Sequence, residues 1–128
     1  MSKSAHRNPP PPIQLRGRIS VEVGQRTGLS EAGADLLEQI SISGSLSEAA
    51  RQLHYSYRRA WLLMDGMNRS WEIPLVTTAT GGKRGGGATL TELGQSVLSA
   101  YRNLQIEFEH FLGVQSAPFQ RAVRTPSP

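Results

Sequence analysis

Cysteine is absent from the 128 residues, which excludes a disulfide frame and a thiolate metal site and leaves packing as the source of stability. Long apolar runs are missing too. The longest strongly apolar stretch, residues 60–64, falls far short of the ~20 residues that cross a bilayer, so no membrane partner is expected. The first residues are polar and proline-rich instead of a basic start followed by an apolar stretch, and do not resemble a secretory signal. A cytoplasmic protein is the expectation. Histidine is scarce: His6, His54 and His110 are scattered, and only His110 has a carboxylate at helical spacing, Glu107. No metal or cofactor is therefore expected. No nucleophile stands beside a general base, so the chain does not read as an enzyme.

What is present is enough apolar content, 38%, for one core. The formal net charge of +4 is unevenly spread. Between Arg51 and Arg84 stand Arg51, Arg58, Arg59, Arg69, Lys83 and Arg84 against Asp65 and Glu72, whereas residues 92–112 carry Arg102 against Glu92, Glu107 and Glu109. A cationic middle segment is the usual footprint of a polyanionic partner. Residues 1–12, with their run of prolines, read as a disordered arm, and residues 114–128, which lack periodicity, read as a flexible tail. Residues 13–113 are the expected domain.

Residues 13–23 alternate, with Ile13, Leu15, Ile19, Val21 and Val23 on one side, and predict a strand with one buried face. After a connection at residues 24–28, Ser30 caps a predicted helix whose apolar residues Ala32, Leu36, Leu37 and Ile40 continue to Gly44. Residues 45–68 read as two helices around a tight turn. Ser45 and Glu48 have capping-box spacing, His54 and Tyr55 make the turn, and Ser56 caps the second helix, in which Ala60, Met64, Met67 and Trp71 point inward. Past Pro74 two short β-branched runs flank a glycine-rich loop, the pattern of a hairpin wing. Thr91 then caps a helix from Glu92 to about Leu112 whose stripe Val97, Tyr101, Leu104, Phe108 and Phe111 steps by four, three, four and three. Such a seam suits a second helix, and predicts a dimer interface. The expected class is mainly α with a small β component: a winged helix-turn-helix with a long C-terminal dimerisation helix.

The glycine loop is not a nucleotide cradle. A Walker loop needs glycine where Thr77 stands and a hydroxyl where Arg84 stands, and the dinucleotide fingerprint needs a third glycine in place of Leu90. Beside a helix-turn-helix, the tip with Gly82, Lys83, Arg84 and Gly85 reads as a phosphate contact, its glycines allowing close approach. In the second helix Ser56, Tyr57 and Arg58 open the surface that reads bases, and Arg58 suits a bidentate contact to guanine. Arg59 suits a phosphate. Trp61 either presses on DNA or packs beneath the wing. Ser45 and Ser47 suit phosphate contacts from the first helix, although capping alone accounts for Ser45.

The stretches "ISISGSLSEAARQL", "SYRRAW", Met67-Asn68 and above all "ATGGKRGGGATLTELGQ" resemble the DNA-binding domain of ModE-type molybdate-responsive transcription regulators, and more distantly that of LysR-type regulators. The resemblance covers about residues 13–112. It implies a winged-helix homodimer on a palindromic operator near genes of molybdate uptake or molybdoenzymes. Members with the full architecture carry β-barrel modules for molybdate after this domain, and sixteen residues follow Leu112 here. The chain is therefore expected to lack those modules and to work without effector or with a separate molybdate-binding protein or subunit. The rival reading is a winged-helix adaptor that binds proteins and leaves DNA untouched.

Overall fold

The local rules that start and stop helices place most of the chain. The computed structural model describes residues 9–79 and 87–124. Ser30, in extended backbone, opens α1 (Glu31–Ser43): its Oγ accepts a hydrogen bond from the Gly33 N–H at 3.1 Å. Gly44 closes the helix in the left-handed region at φ 70°, where a side chain is strained, and its N–H returns to the Ile40 carbonyl at 2.8 Å. Ala34, Leu36, Leu37 and Ile40 are buried on one face. Gly33, which lowers helix propensity, lies under the neighbouring helix, and a β-carbon there would have to displace the flexible Met67 side chain.

Two helices follow in quick succession, α2 (Leu46–Leu53) and α3 (Tyr57–Ser70), capped by Ser45 and Ser56. The corner between them is a Schellman motif. Tyr55 N–H reaches the Ala50 carbonyl at 2.9 Å and His54 N–H reaches the Arg51 carbonyl at 3.2 Å, with His54 at φ 58° in the position glycine commonly takes. Only half of the expected capping box forms: Ser45 Oγ accepts from Glu48 N–H at 3.1 Å, while the Glu48 carboxylate turns to Arg51 and Gln52.

The first strand is shorter than its alternation predicts. Only β1 (Val21–Val23) is a strand, paired antiparallel with β2 (Arg26–Leu29), which lies partly in the segment read as a connection. Alternating burial does continue through Ile13, Leu15 and Ile19, so the pattern reported which side chains are covered and not which backbone groups are laddered. The second hairpin pairs β3 (Val76–Ala79) with β4 (Gly87–Leu90) in the register Val76↔Leu90 to Ala79↔Gly87. Ala88 N–H also bonds to the Gly44 carbonyl at 2.9 Å, fastening β4 to the end of α1.

Thr91 caps α4 (Glu92–Gln115), three residues longer than expected, through the Gly94 N–H at 3.0 Å. A short α5 (Ala117–Ala122) stands where the sequence reading expected no element, because Pro118 in its first turn supplies a helix start that apolar periodicity does not reveal. By contacts the chain divides into two units, residues 18–103 and a smaller one of residues 1–17 with 104–128. The larger unit holds the buried core, in which Leu29, Leu36, Leu37, Ile40 and Leu75 are fully covered. In the smaller unit Gln120 accepts from Ile13 N–H at 2.9 Å and donates to the Pro11 carbonyl at 3.3 Å, and Gly17 sits against the Phe108 ring. The arrangement is a mainly α winged helix. None of its helices is long and apolar enough to cross a membrane, among the described residues.

Candidate nucleic-acid interface

The outer face of α3 is set by what its inner face must do. Ala60, Met64 and Met67 are buried, so the same helical period turns Tyr57, Arg58, Trp61 and Leu62 outward. Tyr57 is 56% exposed, Trp61 43% and Leu62 50%. Arg58 is exposed and makes no hydrogen bond or ion pair with the described residues, whereas Arg59 lies over the Tyr55 ring with its guanidinium carbon 4.0 Å from the centroid. That stacking holds Arg59 at the corner between the two helices while its charge stays at the surface. Ser56 caps the helix by accepting from Arg59 N–H at 3.1 Å, and its exposed hydroxyl hydrogen remains available to a ligand.

Charge on α2 and α3 is arranged so that the carboxylates are answered. Glu48 pairs with Arg51 at 2.7 Å, and Asp65 with Arg69 at 2.8 Å. Hydrogen bonds from Arg51 and then Gln52 hold the Glu48 carboxyl below its ordinary range. Four arginines less two carboxylates leave residues 45–71 at +2, carried by Arg58 and Arg59. Ser47 is exposed on α2 and Ser45 is half-buried in its capping role. Gly82, Lys83, Arg84 and Gly85 lie outside the described residues. The strands that lead to that segment are described, and their Thr77, Thr78, Ala79, Gly87 and Thr89 are exposed.

Three residues that sequence reasoning gave no role hold this surface in place. Asn68 of α3 accepts from Leu75 N–H at 2.9 Å and Val76 N–H at 3.1 Å through Oδ1, and donates to the Val76 carbonyl at 3.0 Å through Nδ2. One amide thus completes the backbone at the start of β3 and ties the hairpin to α3. The signal was an asparagine among inward-facing helix positions, shortly before Pro74 and a strand. Trp71, expected to point inward, also donates from Nε1 to the Gly28 carbonyl at 3.0 Å. Gly94 brings α4 so near the Leu75 carbonyl that a β-carbon would collide with it, and Thr91 adds bonds from N–H at 2.9 Å and Oγ1 at 3.3 Å to the same oxygen. Arg102 bonds to Asp35 at 2.9 Å and Glu38 at 2.9 Å, joining α4 to α1. A lone cation in an acidic helix was its signal.

The predicted seam on α4 divides. Val97 packs against the core, Tyr101 is 2% exposed and donates to the Ile19 carbonyl at 2.6 Å, and Phe108 is half-buried against Gly17. Their own chain therefore already occupies these three. Leu104 and Phe111 are exposed, as are Ile106, Val114 and Phe119. Among the described residues no cluster of three or more His, Asp or Glu is placed to hold a metal ion.

No family model matches the chain. Individual proteins do. The chain is 39% identical over 95 residues to "Molybdenum transport protein ModE" of Azotobacter vinelandii, covering 74% of the chain and 35% of that protein. It is 39% identical over 89 residues to "DNA-binding transcriptional dual regulator ModE" of Escherichia coli, covering 70% and 34%. It is 42% identical over 86 residues to "Molybdenum-pterin-binding protein MopB" of Rhodobacter capsulatus, covering 67% and 31%. The chain thus spans about a third of the length of the curated relatives it matches.

Proposed function

This chain carries a ModE-type domain, and from that premise we propose that it is a sequence-specific DNA-binding transcription regulator which acts as a homodimer and is not an enzyme. The observation that carries the reading is the outer face of α3: an arginine without a hydrogen-bond or ion-pair partner among the described residues, three exposed apolar or aromatic neighbours, and carboxylates elsewhere on the two helices already paired. A helix so dressed suits the major groove, where Arg58 forks onto a guanine and Arg59 meets phosphate. In this reading Lys83, Arg84 and the glycines beside them meet the backbone, and Ser45, Ser47 and Ser56 add phosphate contacts. Relatives named as a molybdenum transport protein and as a DNA-binding transcriptional regulator support a regulator linked to molybdenum, and the genes of molybdate transport or molybdoenzymes are its targets in this reading.

The test is a gel shift with random duplex over a salt series, followed by selection of the bound sequences. We expect binding that falls steeply with salt, by a logarithmic slope of about −0.9 per phosphate neutralised. Lys83→Ala with Arg84→Ala should weaken all duplexes alike and flatten that slope by about 2 per subunit, while Arg58→Ala should relax preference at one base pair of each half-site, costing about 1–3 kcal/mol there. No duplex affinity at low salt would overturn the proposal in favour of a protein-binding adaptor. Genome-wide mapping of bound sites with and without molybdate then identifies targets and signal.

A further inference from the structure

The geometry points to Leu62 and Trp61 as specificity-determining residues that read the 5-methyl group of a thymine beside the base pair contacted by Arg58; this rests on the DNA-binding reading above. Leu62 stands one helical turn after Arg58 and Trp61 one turn after Tyr57, so the four side chains form a single outward patch. Two shallow depressions open on it. One is lined by Ser56, Arg58, Arg59, Leu62 and Leu63, the other by Tyr57, Arg58, Trp61 and Leu62. Arg58 and Leu62 belong to both, and no carboxylate lines either among the described residues. Each is mainly apolar with an arginine beside it.

That combination selects its occupant. A leucine and a tryptophan left about half exposed in the first half of a helix gain nothing from water, and they gain little from a phosphate. In a major groove the apolar feature on offer is the thymine methyl, which cytosine lacks. The arginine beside them matches the polyanion that presents it. The spacing constrains the position as well. One helical turn advances about 5.4 Å and one base step about 3.4 Å, which puts the thymine within one or two base pairs of the guanine read by Arg58.

Deoxyuridine in place of thymidine removes the methyl and keeps the O4 acceptor, so it isolates this contact. In a duplex recovered by selection from a random pool, each thymidine is replaced in turn, and affinity is measured by fluorescence anisotropy for the wild type, Leu62→Ala and Trp61→Ala. One buried methyl at about 0.8 kcal/mol corresponds to roughly a fourfold loss per half-site. We expect that loss for the wild type at one thymine in each half-site, within two base pairs of the position relaxed by Arg58→Ala. It should vanish in Leu62→Ala or Trp61→Ala, whose exposed side chains leave folding intact by circular dichroism. Tight binding that ignores every thymine-to-uracil exchange would overturn the inference while leaving the DNA-binding reading standing. So would a loss that persists in both variants, or a selected half-site without thymine near the guanine. Absence of any duplex binding at low salt would instead remove both.

Discussion

At the scale of single residues, the positions with the most structural consequence are polar groups that complete backbone elsewhere. Asn68 is the leading case, since its amide serves two N–H groups and one carbonyl at the start of β3. Leu75 and Val76 are buried, so water is poorly placed to replace the lost partner. Asn68→Ala is expected to destabilise by about 2–3 kcal/mol in denaturant titration, and Asn68→Asp, which keeps the acceptor, by less. His54 sits under the opposite strain. Its left-handed backbone costs a β-carbon steric penalty that glycine escapes, so His54→Gly is expected to raise stability by about 0.5–1 kcal/mol, while the β-branched His54→Val lowers it by more than 1 kcal/mol. A rise in the melting temperature of the glycine variant checks this. Tyr101 ties α4 to Ile19, and burial, followed by the nearby Glu31 carboxylate, pushes its phenol above the ordinary value near 10. An acid with a raised folded pKa contributes stability below its unfolded value and loses it as pH climbs past that value. Wild-type unfolding free energy should therefore fall above about pH 10 more steeply than that of Tyr101→Phe, the difference between the two curves isolating this phenol.

At the scale of elements, what could be read in the sequence was whatever is decided locally. Ser30, Ser45, Ser56 and Thr91 each cap the helix expected of them, and Gly44 ends α1, because a cap depends on a residue and its next few neighbours. The inward set Ala60, Met64 and Met67 was equally legible from its period. The β3–β4 hairpin was legible too, whereas the pairing of β1 with β2 was not. β2 holds an arginine, a threonine and a glycine in four residues, and it becomes a strand only because Val23 and Arg26 close a two-residue hairpin at Gly24, φ 62°. The seam on α4 was legible only as a face, since a period identifies a face without naming what covers it. Val97 and Tyr101 are covered by the chain's own core. The exposed face of α3 was legible because exposure there follows from its buried side, whereas Arg102 and Gly94 act through partners distant in sequence and Asn68 through backbone seven and eight residues on, so all three left only faint local marks.

At the scale of the whole molecule, a homodimer needs a surface that one chain leaves uncovered. The larger unit has a covered centre, with Leu29, Leu36, Leu37, Ile40 and Leu75 fully buried. The second half of α4 keeps an apolar row in the open: Leu104 is 44%, Phe111 55% and Val114 59% exposed. Leu104 and Phe111 are seven residues apart and Val114 follows three later, so they share one stripe, the geometry of a helix-to-helix contact. We propose that a second copy covers this stripe, because exposed phenylalanine and leucine in line are costly in water and a twofold contact sets one stripe against its equal. Leu104→Asp with Phe111→Asp is then expected to give a folded monomer in sedimentation, since neither residue lies in the buried core. Duplexes with two half-sites would be bound by that monomer at most as tightly as a single half-site, and the logarithmic salt slope would fall by about half, each subunit supplying its own phosphate contacts. A double variant that remains dimeric, with unchanged slope, would place the contact elsewhere on the chain and return the stripe to another partner.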